Sequence, residues 1–277
     1  MNDTKRTRRQ NRILFVVLLA VAFLYSLPTL AMIGTAFKGP AQALSNNALF
    51  PLHPELTSFR TVLESNFLTA AANSMKVCLC VTVSCIVLAI LAGYALSRFR
   101  GKVFSFYQMA LLVVQMFPMM LLMLPLFLIF KAMGLLDTHW SIILSYTCLN
   151  LPFSIWMIKG FFDTIPYDIE ESALIDGCGR FQTLCRIVLP VSLPGVATVG
   201  IFTFLNAWNE FTYANTFIRS DDLLTLTVHL QHYVSANQSS WAEMMAASTL
   251  GIIPSMIFLL CAQKYLVQGM TAGSVKG

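Results

Sequence analysis

A cluster of carboxylates occupies one polar segment, at residues 160–190, between two long apolar stretches. The cluster consists of Asp168, Glu170, Glu171 and Asp176. Carboxylates of this kind bind Lys and Arg side chains of another protein, whereas the anionic inner surface of a membrane repels them. The cluster therefore favours a protein-docking element. The alternative is a helical hairpin with only a structural role, in which it covers one end, the cytoplasmic one, of a bundle formed by the apolar stretches.

A second group of polar side chains lies inside apolar stretches, where such groups are costly and are candidates for function. Glu210 is the only carboxylate there, and with Asn206 and Asn209 it follows the i, i+3, i+4 spacing of one helix face. These side chains either line a polar pathway or gate through the apolar region, or hydrogen-bond between helices to fix packing. The pathway or gate candidates are Gln115, Met116, Asn150, Asn206, Trp208, Asn209, Glu210 and Tyr213. Four prolines are predicted to interrupt or kink the same stretches: Pro118, Pro125, Pro152 and Pro254.

Residues for other chemistry do not come together in the sequence. A phosphate-binding G-x-x-x-x-G-K-[ST] loop is missing; Gly101-Lys102 comes nearest, but Leu96 and Val103 break the pattern. The histidines lie in predicted outer loops or at the edges of apolar stretches, and the seven cysteines show no metal-binding or disulfide spacing. The sequence therefore predicts no catalytic residues, no metal site and no cofactor bound by this chain.

The composition places these residues in a membrane protein. Hydrophobic residues make up 57% of the 277 residues and charged residues 11%, with a mean hydropathy of +0.70. Soluble globular proteins have roughly 45–50% apolar and about 25% charged residues. A net charge of +5 does not indicate nucleic-acid binding, because the basic residues crowd the N-terminus and flank the apolar stretches. The chain is predicted to lie in a lipid bilayer.

Apolar stretches of roughly 20 residues, enough to cross a bilayer core about 30 Å thick, predict an all-α integral membrane fold with six transmembrane helices. The predicted spans are 13–33, 77–96, 107–130, 140–158, about 195–217 and about 244–266. Lys and Arg are concentrated in the N-terminal segment and in every second loop, which predicts that both termini and the 160–190 segment are cytoplasmic.

The polar segment also carries local structural signals. Asp168 and Glu171 form an N-cap signature for a helix over 169–176. Gly177 stands where the chain must adopt a left-handed turn, which glycine does at little cost. A second, amphipathic helix is predicted to follow and to end at the proline of the Leu189-Pro190 pair.

The same residues carry a family resemblance. The sequence EESALIDG at 170–177, followed by IVLP at 187–190, resembles the EAA loop of ATP-binding-cassette (ABC) importer permeases. Ser172 stands where alanine is usual, and Cys178 where alanine is common. Further similar segments are Asn73-Ser74, 94–102, Asn150 with Pro152, 208–211 and the tail 269–277. Together they resemble the six-span, maltose-permease-type subunit of carbohydrate importers.

The resemblance implies a type I ABC-importer permease fold, in which the loop forms a cytoplasmic coupling helix that sits in a cleft of an ATPase. Glu171 would pair with a basic residue of that ATPase, and Ala173 and Gly177 would permit close approach. The implied docking residues are Glu170, Glu171, Ser172, Ala173, Asp176, Gly177, Leu189 and Pro190. The implied organisation is an N-terminal tail, first span and outer loop (1–67), a transmembrane domain (68–268) and a cytoplasmic tail (269–277).

The implied function is import of a carbohydrate across the bacterial cytoplasmic (inner) membrane. The implied partners are a homologous six-span permease subunit, two cytoplasmic ABC ATPase subunits that bind ATP and Mg, and an external solute-binding protein, with no nucleic acid. Two alternatives remain open. One is an ABC permease for a non-sugar solute, such as glycerol phosphate, another phosphate ester, an amino acid or a peptide. The other is a proton- or sodium-coupled secondary transporter, which would favour several intramembrane carboxylates and an inverted repeat.

Overall fold

The computed structural model describes residues 2–45, 48–235 and 241–274, and helices joined by short connections make up these ranges. The α-helices are α1 (Asn2–Ala36), α2 (Pro40–Ser45), α3 (Thr57–Glu64), α4 (Phe67–Arg98), α5 (Lys102–Gln115), α6 (Met119–Ala132), α7 (His139–Asp163), α8 (Tyr167–Ile175), α9 (Arg180–Thr183), α10 (Leu189–Val191), α11 (Leu193–Asn209), α12 (Thr212–Phe217), α13 (Leu226–Ser235) and α14 (Trp241–Ser274). A π-helical turn covers Leu184–Val188 and a 3₁₀ turn Asp221–Leu223. These described ranges contain no β-strand.

Two compact units make up the chain. The first combines Met1–Phe67 with Leu230–Ile252, and the second combines Leu68–His229 with Ile253–Gly277. The second unit contains the polar segment and the intramembrane polar residues. Its hydrophobic core joins α4, α7, the π-helical turn and α11, through the buried side chains of Ala89, Ile155, Ile158, Phe162, Leu184, Val188 and Val199.

Within the described residues, four helical segments are long and apolar enough to cross a membrane: Asn11–Ala36, Phe67–Arg98, His139–Asp163 and Trp241–Cys261. Two bent helix pairs raise the number to six if each pair is counted as one span. These pairs are Lys102–Gln115 with Met119–Ala132, bent by 100°, and Arg180–Val191 with Leu193–Asn209, bent by 79°. An all-α fold with apolar spans is what the sequence predicts.

Of the four prolines that are predicted to interrupt or kink a helix, one stands at an interruption. Pro118 has an extended backbone (φ −60°, ψ 118°) and stands between α5 and α6, where the 100° bend occurs. Proline has no N–H for a helical hydrogen bond and disfavours helical geometry in the residue before it, so α5 ends here. Pro125, Pro152 and Pro254 lie inside helices that continue on both sides of the proline, so they do not interrupt these helices, and a kink there stays a prediction.

The polar segment differs from its predicted form at both ends. Helix α8 begins at Tyr167 after Pro166, whose fixed φ suits the start of a helix, so Asp168 is not the N-cap. Helix geometry also continues through Pro190 as far as Val191 and breaks at Ser192. The π-helical turn just before Pro190 explains this continuation, because such turns re-satisfy carbonyl groups that a proline cannot bond.

Candidate functional site

Helix α8, which we call the acidic helix (Tyr167–Ile175), presents one polar surface outward. Glu171 and Ser172 are exposed, as are Asp176 and Gly177 directly after the helix. Glu171 makes no hydrogen bond or ion pair to any residue that the structure describes, so its carboxylate is available to a partner. Apolar Ile175 lies beside this surface with 86% of its area exposed. An unpaired carboxylate next to an exposed apolar side chain is suited to a protein contact.

Two of the docking residues that the sequence implies do not lie on this outward surface, which corrects the sequence-based prediction for them. Glu170 and Ala173 are buried within the chain's own fold, at 2% and 4% exposure. Successive helical residues point about 100° apart. In this helix the step turns Glu170 toward Arg98 of α4, while Glu171 faces outward. Farther along, Pro190 is exposed and Leu189 is half-buried.

The turn after the acidic helix has the predicted left-handed glycine. Gly177 has φ +87°, and the N–H of Cys178 donates to the carbonyl of Ala173 at 3.0 Å, which closes the helix end. A Cβ atom added to Gly177 would meet nothing within 4 Å. The requirement for glycine here therefore comes from the backbone conformation and not from crowding within the chain.

This turn gives a first testable prediction. Gly177→Ala is expected to destabilise the end of the acidic helix by about 1–2 kcal/mol, the cost of a left-handed L-residue. Hydrogen–deuterium exchange of the Cys178 amide should then speed up by about 5–30-fold. Gly179→Ala is the matched control, because Gly179 is two residues away, has φ −72° and has equally open surroundings. Equal acceleration in both variants would contradict the backbone explanation.

Glu210 serves as a helix cap and does not continue the helix face of Asn206 and Asn209. Helix α11 ends at Asn209, and Glu210 adopts an extended backbone (ψ 130°). Its carboxylate accepts hydrogen bonds from the Tyr213 N–H at 3.0 Å, from the Ala214 N–H at 3.4 Å and from the Tyr146 hydroxyl. The predicted shared face is therefore wrong, since these contacts hold the start of α12 against α7. Of the two interpretations of Glu210, the geometry favours packing.

Three of the pathway candidates do come together, around a cavity of about 290 Å³ beside the α5–α6 bend. Gln115, Asn150 and Asn206 line it, and the Asn206 side-chain N–H donates to the Asn150 side-chain oxygen at 3.1 Å. Phe117, Phe153 and Phe202 provide much of its apolar wall. Amide groups beside aromatic rings are a combination that binds polar molecules with apolar faces.

The remaining pathway candidates lie outside this cavity lining. Trp208 is buried and stacks on Phe204 with 5.8 Å between ring centroids, so its role is packing. Tyr213 is also buried, and its hydroxyl donates to the Met119 carbonyl at 2.6 Å, at the first residue after the bend. Met116 is 84% exposed at the bend, and Asn209 is exposed while it donates to the Leu205 carbonyl of its own helix.

Sequence reasoning did not identify Arg98 and Tyr146 as partners of the key carboxylates. Arg98 ends α4 and pairs with Glu170, and Tyr146 donates its hydroxyl to Glu210. An arginine that closes a long apolar run is a visible signal, and Arg98 lies within the family-like segment 94–102. Its carboxylate partner is distant in sequence, so the pairing itself has no local signature.

Comparison with known proteins identifies the family to which this chain belongs. Residues 85–272 match the family model described as "Binding-protein-dependent transport system inner membrane component". The chain belongs to this family. The permease is 35% identical to the inner membrane ABC transporter permease protein YcjP of Escherichia coli K12, over 100% of both chains. It is 38% identical to the sulfoquinovosyl glycerol transport system permease protein SmoH of Agrobacterium fabrum C58, over 82% of this chain and 80% of the relative.

A solved structure shows the same fold. The permease superposes on a chain from the crystal structure of a bacterial ABC transporter involved in import of the acidic polysaccharide alginate, with a TM-score of 0.80 and 25% identity. The match covers 94% of this chain and 98% of that one. The permease is therefore a multi-pass subunit of an ABC importer in the cytoplasmic membrane and not an enzyme. These findings confirm the sequence-based family, fold class and transport role.

Proposed function

We propose that the permease imports a carbohydrate and is driven by ATP hydrolysis on separate ABC ATPase subunits. The cargo assignment rests on its relatives: one is named for sulfoquinovosyl glycerol transport, and the structural neighbour takes part in alginate import. Both of those compounds are carbohydrates. The alternatives are a different cargo, namely a phosphate ester, an amino acid or a peptide, and transport coupled to an ion gradient. Reconstitution distinguishes them from ATP-driven carbohydrate import.

One observation supports the proposal that ATP hydrolysis on a partner drives transport. It is the exposed acidic helix, which lies in the chain between the apolar helices α7 and α11. The proposed contact surface consists of Glu171, Ser172, Asp176, Gly177 and Pro190, all of which are exposed. A basic cleft on the ATPase would pair with Glu171, and ATP and Mg would be bound by two such ATPase subunits. The chain's own sequence offers no phosphate-binding loop of the G-x-x-x-x-G-K-[ST] type.

The proposed assembly adds a homologous six-span permease subunit and an external solute-binding protein. The proposed orientation has both termini in the cytoplasm, since the basic residues cluster at the N-terminus and in the loops on that side. ATP-driven movement of the ATPases would displace the acidic helix and switch the bundle between inward-facing and outward-facing states.

Co-purification and reconstitution test this function directly. The permease is isolated from its native membrane in mild detergent, and its partners and the solute on the binding protein are identified by mass spectrometry. The assembly is then placed in liposomes, and uptake of that solute is measured with ATP or with an ion gradient. We expect uptake of a carbohydrate that requires ATP. Uptake driven by a proton or sodium gradient without the ATPases would refute the proposal, and a non-sugar solute would refute the cargo.

The amide-lined cavity is the proposed site at which this chain contacts the solute. Exposed amides of Asn206 and Gln115 would hydrogen-bond sugar hydroxyls, and Phe117 would contact the apolar face of a sugar ring. Polar side chains at membrane depth are costly toward lipid, which supports a cavity-facing role.

Asn206→Ala is expected to slow uptake by about 2–10-fold, which corresponds to the free energy of one neutral hydrogen bond. The comparison is made at a saturating concentration of the solute-loaded binding protein. Uptake is measured in liposomes that contain the whole assembly. Asn209→Ala is the matched control, because Asn209 lies one helical turn away and bonds only within its own helix. A loss of thermal stability in Asn206→Ala without any change in uptake would instead assign Asn206 to packing.

A further inference from the structure

A buried ion pair joins the acidic helix to the end of α4. The Arg98 Nε atom lies 2.6 Å from the Glu170 Oε1 atom, and the two side chains are only 6% and 2% exposed. The pair bridges two elements that are far apart in the sequence. Arg98 also contributes, with Arg100 and Asp163, to the lining of a cavity of about 860 Å³, although its side chain is almost fully buried.

The hydrogen-bonding groups of the pair are well satisfied by neighbouring residues. The Tyr94 hydroxyl donates to the second Glu170 oxygen at 2.8 Å. Arg98 donates through Nη2 to the carbonyl oxygens of Phe162 at 2.9 Å and Ile165 at 3.3 Å. The Phe162 carbonyl lies in the last turn of α7 and the Ile165 carbonyl just beyond it, where the helix dipole favours a positive charge. The pair therefore holds three elements together: α4, α7 and the acidic helix.

A second layer of polar contacts supports the same junction. Arg98 donates through Nη1 to the Ser97 hydroxyl at 2.9 Å, and that hydroxyl donates to Asp163 at 2.6 Å. Lys159 approaches the other Asp163 oxygen at 2.6 Å. Because Asp163 and Lys159 belong to the last turns of α7, the network ties this helix end to α4 a second time.

We propose that Arg98 and Glu170 form a clamp that transmits displacement of the acidic helix to α4 and α7. Separating the two charges would leave both unpaired in a low-dielectric interior, which is strongly unfavourable, so the three elements move as one. Two adjacent glutamates thus have different tasks. Glu171 faces the ATPase, and Glu170 is a positioning residue that secures the helix from the inside. This inference rests on the proposed function.

Glu170→Gln is the central test variant, since it preserves the side-chain shape and the Tyr94 contact but removes the charge. The complete importer, with ATPases and loaded binding protein, is reconstituted in nanodiscs and liposomes. We expect the variant to assemble and to hydrolyse ATP, while solute transported per ATP falls about 5–10-fold, within the usual range of a coupling free energy. A spin label at exposed Asp168 should become more mobile. Glu64→Gln, in an exposed ion pair with Arg60, is the charge-matched control and should change neither quantity.

Other outcomes overturn the clamp in distinguishable ways. Loss of co-purified ATPase in Glu170→Gln would assign Glu170 to the docking surface. Unchanged transport per ATP together with unchanged label mobility would show that the pair transmits nothing. Arg98→Lys keeps the charge but loses the planar guanidinium, and it should reproduce the uncoupling. If both variants fail to accumulate in membranes, the pair is a folding requirement only. If the wild type moves no carbohydrate, the proposed function fails, whereas label mobility still reports on the clamp.

Discussion

Glu171→Ala is expected to abolish solute uptake by the reconstituted importer while leaving the permease in the membrane. Glu171 is exposed and its carboxylate makes no hydrogen bond or ion pair to other described residues, so its removal leaves no buried polar partner behind within the permease. In the proposed complex its carboxylate pairs with a basic residue of the ATPase. Truncating one member of a buried interfacial charge pair costs about 2–5 kcal/mol, which lowers affinity by roughly 30-fold to several thousand-fold.

The measurement is the amount of ATPase that co-purifies with the permease, together with uptake in liposomes. Asp168→Ala provides the matched control, because it removes an exposed carboxylate from the same helix but from outside the proposed contact surface. We expect the control to retain both the ATPase and uptake. Full uptake by Glu171→Ala would refute the docking role. Equal losses in the two variants would show that the overall negative charge of the helix, and not a specific pair, attracts the ATPase.

The features that the sequence predicts well are local ones. The four unbroken spans follow from the hydropathy of consecutive residues, whereas the predicted span at about 195–217 breaks after Asn209. The left-handed turn follows from a single glycine at 177. The bend at Pro118 has a local contribution from the missing N–H of proline, although the same residue type does not end the helix at Pro125, Pro152 or Pro254. In each case a physical cause lies within a few residues of the feature, so a local pattern is enough to suggest it.

The features that the sequence does not predict depend on residues far apart in the chain. The rotation of the acidic helix, which buries Glu170 and exposes Glu171, is fixed by the contact of Glu170 with Arg98, and a local pattern of acidic residues does not contain that contact. Glu210 is similar, because its carboxylate caps α12 and meets Tyr146 of α7, which ends the helix face predicted from spacing. Local rules identify which side chains are polar. Tertiary contacts decide which way they face.

Gly195→Ala is expected to loosen the packing between α7 and α11, the helices before and after the polar segment. Gly195 lies in the first turn of α11, and a Cβ atom there would stand 2.3 Å from the ring carbon Cγ of Phe161 near the end of α7. That ring carbon is attached directly to the Phe161 Cβ, so flipping the ring about the Cβ–Cγ bond does not relieve the clash, and either the Phe161 rotamer or the helix must shift. Overpacking of this kind typically costs about 1–3 kcal/mol. We expect a lower melting temperature of the purified permease and weaker retention of the ATPase, since α7 and α11 flank the acidic helix.

Two further variants decide whether the contact itself is the cause. Gly200→Ala adds the same methyl group on the same helix, but its nearest neighbour is the flexible tip of Ile86 at 3.1 Å, so only a small change is expected. Phe161→Ala removes the obstructing ring, and Gly195→Ala in that background should cost much less than in the wild type. A cost that is the same in both backgrounds would show that the close approach of Gly195 to Phe161 does not hold the two helices together. The acidic helix would then be positioned chiefly by its attachment to α4.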